Sequence, residues 1–332
     1  MKRLRILIGV ALAFCLLWIA GCEEQARMEG AAVAPEIDLC LAGEWGFQLD
    51  PEGIGEEDKW FEKDLPLRIK LPGSTVEGGF GDDISVETEW TGDIVDKSWY
   101  TEERYEKYRQ PGNIKVPFWL TPLKHYVGAA WYQKTIDIPD SWRGKRVILF
   151  LERAHWETKL WVDGQEVGMR NSLSTPHEYD LGSLSPSQHR LTIRVDNTIK
   201  IEVGVNSHSI SDHTQTNWNG IVGKMELRAK DPIWIDDLQV YPDVKGKTAK
   251  VLVTLRKTTK EEVEGIVILQ AQAAGGKQQH KPAAKRMLFT ASLPYTTIEA
   301  QYDMGNDVLL WDEFSPNVYE MTASIEAGKY AD

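Results

Sequence analysis

The feature that most constrains this chain is a period of two. "RLTIRVDN" (190–197) alternates Leu191, Ile193 and Val195 with Thr192, Arg194 and Asp196, the pattern of a strand with one face against a core. "KVLVTLRK" (250–257) repeats it with Val251, Val253 and Leu255. In "LWVDGQEV" (160–167), Asp163-Gly164 separates two apolar stretches. Asp-Gly is favoured where both central residues of a tight turn need positive φ, so a hairpin is expected there. Helical periodicity is almost absent; the best candidate is "TEERYEKYR" (101–109), short and mostly charged. No phosphate-cradling glycine motif is apparent, because the glycines of "EGGFGDD" (77–83) precede acids rather than a helix with a lysine. An all-β chain built as two sandwiches follows.

The N-terminus reads as a targeting segment. Met1–Arg5 carries three positive charges, and a nearly unbroken apolar run of sixteen residues extends from Ile6 to Gly21. That is shorter than the ~20 residues a spanning helix needs. Ile19-Ala20-Gly21-Cys22 resembles a bacterial lipobox, so residues 1–22 are expected to be a lipoprotein signal peptide with lipid on Cys22. Residues 23–38 are small, polar and aperiodic, as a flexible tether would be. The expected location is the cell envelope, with membrane contact through the lipid alone. Cys15 leaves with the signal and Cys22 takes lipid, so Cys40 has no disulfide partner and is expected to be a small buried residue.

Loss of the leader's three basic residues takes the net charge from −12 to −15. Lys and Arg are dispersed among a larger number of acids, which argues against nucleic acid as a partner. Composition shifts near residue 232. Trp45, Trp60, Trp90, Trp99, Trp119, Trp131, Trp142, Trp156, Trp161 and Trp218 precede it, and only Trp234 and Trp311 follow. Most of these indoles are expected in the core, with a minority available to stack on sugar rings. The expected domains are 39–232 and 233–332, joined by the short linker around Pro232.

An ordered set of segments carries a resemblance: "LAGEWGFQLDPEGIGEEDKWF" (41–61), "IKLPGST" (69–75), "WYQKTIDIP" (131–139), "LFLERAHWETKLWVDGQEVG" (149–168), "TPHEYDLG" (175–182), "LTIRVDN" (191–197) and "NWNGIVGKMEL" (217–227). In this order they resemble the N-terminal jelly-roll of glycoside hydrolase family 2. "LWDEFSPNVYEMTASI" (310–325) resembles the end of that family's immunoglobulin-like second domain. The resemblance implies a jelly-roll β-sandwich followed by an immunoglobulin-like β-sandwich. It also implies carbohydrate as partner. The family's catalytic (β/α)8 barrel, with its two glutamates, needs ~250 residues, and about 100 follow Pro232. No residue is therefore assigned a catalytic role, no cofactor is expected, and the chain is expected to bind or scaffold rather than hydrolyse, a separately encoded barrel being one expected partner. A stand-alone carbohydrate-binding or adhesion lipoprotein, and an interaction module without glycan affinity, are the competing readings.

The stretch "SHSISDHTQTNWNGIVGK" (207–224) is dense in hydrogen-bonding groups. The resemblance implies that this loop reaches toward the barrel mouth, which makes Asn206, His208, Asp212, His213, Asn217 and Trp218 sugar-binding or barrel-facing candidates. Amides, carboxylates and imidazoles suit hydroxyls, and an indole offers an apolar face. The same residues also fit a turn-rich loop whose side chains satisfy its own backbone. Metal binding through His208, Asp212 and His213 has little support, since two histidines without strand or helix spacing do not define ligands. His125 and Tyr126 are two further candidates, for which packing or turn roles also fit. The segment 82–110 is longer than a hairpin needs and is expected to be a lid or an interface.

Overall fold

A computed structural model describes residues 38–214, 216–274, 278–328 and 330–331. The expected signal peptide, Cys22 and the tether as far as residue 37 lie outside the described residues. Strands dominate. Helix among the described residues is confined to a single α-helical turn at Ser98–Thr101 and 3-10 turns at Trp60–Glu62, Glu103–Tyr108 and Asp140–Trp142. The charged stretch 101–109 is thus mostly a 3-10 turn, since it has no apolar stripe to dock a longer helix.

The first sandwich has two sheets. One runs Gln165–Asn171, Glu157–Val162, Gln188–Asp196, Ala129–Asp137, Gly43–Asp50 and Leu67–Leu71 in spatial order. The other runs Leu39–Cys40, Gly220–Lys230, Arg146–His155 and His177–Asp180, with Gly73–Ser74 also paired to Gly220–Lys230. The expected hairpin forms at Asp163-Gly164, with φ of 50° and 79° and Gln165 paired to Val162. Leu191, Ile193 and Val195 are fully buried. So is Thr192 on the opposite face, contrary to simple alternation. The cause is a cover: Leu65, Trp131 and Trp161 cluster under Trp60 and Phe61, and Gln133 Nε2 donates to Thr192 Oγ1 at 3.1 Å. Cys40 is exposed rather than buried. It sits on a two-residue edge strand opposite Glu226, where little covers it.

The second sandwich pairs Ile233–Asp243, Thr248–Lys257 and Tyr295–Asp303 in one sheet, and Lys285–Ala291, Val263–Ala274, Val318–Ala327 and Tyr330–Ala331 in the other. Val251, Val253, Leu255, Val267, Leu269 and Ala271 form its dry centre. At ~25 cal/mol per Å2 of apolar surface, such burial is the main favourable contribution to its stability. The described residues divide into two compact units, those of 135–148, 179–190 and 229–331 in one and those of 38–134, 149–178 and 191–228 in the other.

Between these regular elements, residues 82–125 form a lobe with a core of its own. Asp82 and Asp83 pair with His125 and Lys124, closing its base. Ile94, Trp99, Ile114 and Val116 are buried inside it, with Ile84, Val86, Trp90, Tyr105 and Trp119 packed around them. The insertion therefore extends past residue 110, where sequence placed its end, because the strand that closes it starts at Lys124.

Candidate functional site

The loop 206–218 packs on this lobe, and Asp212 is the joint. Its side chain is 1% exposed. Oδ2 accepts the Thr91 N–H at 2.7 Å and faces His125 Nε2 at 3.0 Å. Oδ1 accepts the Asn217 N–H at 2.8 Å. The Asp212 N–H in turn donates to the Thr91 carbonyl at 2.7 Å. A carboxylate so placed satisfies buried backbone donors that would otherwise cost ~1–3 kcal/mol each. Next to it, Gly92 has φ +104°, and a Cβ there would collide with Ser211 Oγ. Asn206 clasps Asp93 twice, accepting from its N–H at 2.8 Å and donating to its carboxylate at 3.1 Å.

Aromatic rings line the same seam. Trp90 meets His125 edge-on at 5.0 Å and Trp119 edge-on at 5.5 Å. Trp119 lies 6.0 Å from the His213 ring. His213 is half-buried and its Nδ1 bonds the Ser211 hydroxyl. His208 is exposed.

Below the seam three asparagines stitch the loop to the strands. Asn217 Nδ2 donates to Thr91 Oγ1 at 3.0 Å and to the Asn197 carbonyl at 3.1 Å. Asn197 Nδ2 donates to the Tyr126 carbonyl at 2.8 Å, and its Oδ1 accepts from Gly128 N–H at 2.8 Å. Asn219 Nδ2 reaches the Gly128 and Val195 carbonyls at 2.9 and 3.0 Å, and its Oδ1 accepts from Tyr132 at 3.0 Å. The Tyr126 hydroxyl donates to the Ala129 carbonyl and accepts from Asp50 N–H. Burial holds that hydroxyl well above the ordinary phenol range, so it stays protonated.

Trp218 is half-buried and stacks on His155 at 4.9 Å and 26°. His155 Nδ1 bonds the Trp218 carbonyl, which can only accept, so the neutral ring carries its proton on Nδ1. Burial pushes the His155 pKa below 6.5, outweighing the bond to Trp218.

Of the candidates from sequence, the structure thus brings together Asn206, Asp212, His213, Asn217 and His125 along one seam. Tyr126 lies beneath it among the asparagine contacts. Asp212, Asn217 and Tyr126 are buried and bonded to backbone; Asn206 and His208 are exposed, and His213 and Trp218 are half-exposed. Sequence reasoning missed Thr91, Trp90, Trp119, Asn197, Asn219 and His155. Only "NWNG" offered a signal, in that its second asparagine precedes a strand and invites a turn. Among the described residues no group of three His, Cys, Asp or Glu side chains converges as a metal site would.

Residues 39–231 match the model described as glycosyl hydrolases family 2, sugar binding domain. Residues 233–332 match a second model, glycosyl hydrolases family 2. The chain belongs to glycosyl hydrolases family 2. A β-glucuronidase of Paenibacillus borealis is 23% identical over 228 residues, covering 64% of this chain and 32% of that protein. The β-galactosidase large subunit of Leuconostoc lactis is 22% identical over 312 residues, covering 86% of this chain and 43% of that protein. A β-glucuronidase from Ruminococcus gnavus, solved in complex with uronic isofagomine, shares the fold at TM-score 0.56 and 16% identity, over 92% of this chain and 44% of that one. The family 2 chain described here thus spans less than half the length of these relatives. Both sandwiches are family 2 architecture, and the described residues form no (β/α)8 barrel.

Proposed function

We propose that this chain is a saccharide-binding and scaffolding portion of a family 2 glycoside hydrolase system, held at the cell envelope by lipid on Cys22, and that it does not hydrolyse glycosides by itself. The observation that carries the reading is the match of residues 39–231 to the family's sugar binding domain. Exposed His208 and half-exposed His213, the latter beside the Trp119 indole, supply the contact chemistry. Hydrolysis needs an acid and a second carboxylate flanking one bond, ~5–9.5 Å apart. Asp212, the acid within this loop, is sealed under backbone N–H groups and His125 and serves the fold instead. The acid and the nucleophile come from protein beyond these residues, a separately encoded barrel being one source.

The test is direct. The chain from Glu23 onward is assayed with aryl β-glucuronide, β-galactoside and β-mannoside, and is titrated with a glycan panel. No turnover above a blank is expected, together with binding of at least one glycan that His213→Ala weakens. Hydrolysis abolished by one Glu or Asp substitution, or indifference to every glycan, overturns the reading.

A further inference from the structure

The lobe 82–125 carries an open cleft of about 1240 Å3 built wholly from its own residues. Ile84, Val86, Ile114 and Trp119 supply its apolar wall, and Arg109 and Lys115 bring two cations to it. On a chain of net charge −12, two cations that make no ion pair within the described residues are unexpected.

Their environment leaves the charges uncompensated. Arg109 Nη1 donates to the carbonyls of Trp99 and Glu102, the latter at 3.1 Å. Those acceptors fix the guanidinium without neutralising it. Lys115 Nζ lies 5.8 Å from the Tyr108 ring centroid and has no carboxylate partner among the described residues. Two acids also line the cleft. Asp83 is already paired with Lys124 at 2.8 Å, and Glu87 accepts from the Ser85 hydroxyl at 2.9 Å. Trp119 is held edge-on by Trp90, and its Nε1–H makes no hydrogen bond within the described residues.

We propose that this cleft binds an oligosaccharide bearing carboxylates, a uronic-acid oligomer. The C–H face of a pyranose ring suits the indole and aliphatic wall. A carboxylate on the ring suits a guanidinium and an ammonium, which give the stronger charge-assisted hydrogen bonds. A neutral sugar leaves both cations without counter-charge. A nucleic acid needs a longer run of cations and meets repulsion from Asp83 and Glu87. The proposal goes beyond the function proposed above, because the cleft includes no residue of loop 206–218 and shares with that site only the Trp119 indole.

Isothermal titration of the chain from Glu23 onward compares an oligogalacturonate with its methyl-esterified, neutral counterpart. The acid form is expected to bind about tenfold more tightly, the share of one charge-assisted hydrogen bond, with the advantage shrinking in high salt. Lys115 and Glu87 are exposed, so their replacement leaves the lobe folded. Lys115→Glu is expected to remove the preference for the acid form, and Glu87→Gln to tighten its binding several-fold. Equal binding of acid and ester, or acid binding unmoved by both substitutions, overturns the proposal. If neutral glycans bind and respond to His213→Ala while the oligogalacturonate binds no more tightly than its ester, the cleft proposal fails while the loop reading stands. If the oligogalacturonate responds to Lys115→Glu while no glycan responds to His213→Ala, the cleft stands without the loop.

Discussion

Asp212 Oδ2 and His125 Nε2 stand 3.0 Å apart across 87 residues of sequence. The pair, with the Thr91 N–H on the same oxygen, fastens the loop 206–218 to the lobe 82–125.

Asp212→Ala removes the acceptor from two backbone N–H groups and an imidazole at once. The expected cost is about 2–4 kcal/mol, the range for breaking a buried hydrogen-bond network. Asp212→Asn keeps the shape and one acceptor and is expected to cost roughly half as much. Urea unfolding of the three proteins checks both. A loss within ~0.5 kcal/mol, usual for surface positions, would show that the joint contributes nothing.

Gly92→Ala meets two obstacles, a φ of +104° and the Ser211 hydroxyl. The expected destabilisation is about 1–3 kcal/mol. Ser211→Ala in the same chain relieves the collision but not the backbone strain, so partial recovery is expected in a double-mutant cycle. Full recovery would show that the backbone conformation carries no cost.

The histidines make stability depend on acidity with a fixed sign. Burial holds His155 and His177 below 6.5 in the folded chain. In the unfolded chain they take protons near 6.5, so that state binds more protons in the window just beneath it. Their contribution is fully present above that value and is lost as pH falls through the window toward the folded pKa values. Urea midpoints measured from about pH 8 down to about pH 5.5 are expected to fall below about pH 6.5, with a shallower fall in His155→Gln. A midpoint that rises on acidification contradicts the assignment.

Cys22→Ala tests the envelope anchor. Bacterial lipoproteins are held by several acyl chains, since a single chain gives only marginal binding. The variant is expected in the soluble fraction or as a slower-migrating precursor. Unchanged fractionation and gel mobility would end the lipoprotein proposal.

Much of the fold was legible because strands with one dry face must alternate. Leu191, Ile193, Val195 and the run Val251, Val253, Leu255 are buried as that pattern requires. Thr192 escaped it, because a cover from residues 60–65 closes the second face and nothing local in the strand reports a distant loop. The loop 206–218 was legible as polar but not as sealed. Whether Asp212 faces solvent depends on Thr91 and His125, both remote in sequence. Cys40 failed for a related reason: its small size suits a core, but its place on an edge strand is set by pairing with Glu226.

The private core of the lobe has a consequence for how this protein can change over generations. Ile94, Trp99, Ile114 and Val116 pack against one another, and the base is closed by two residue pairs. Substitutions along the cleft rim at Glu87 or Lys115 therefore leave the packing of both sandwiches untouched. Ligand preference can drift without eroding the stability of the scaffold that carries it, which gives selection two separate handles where a site cut into the main core would offer one.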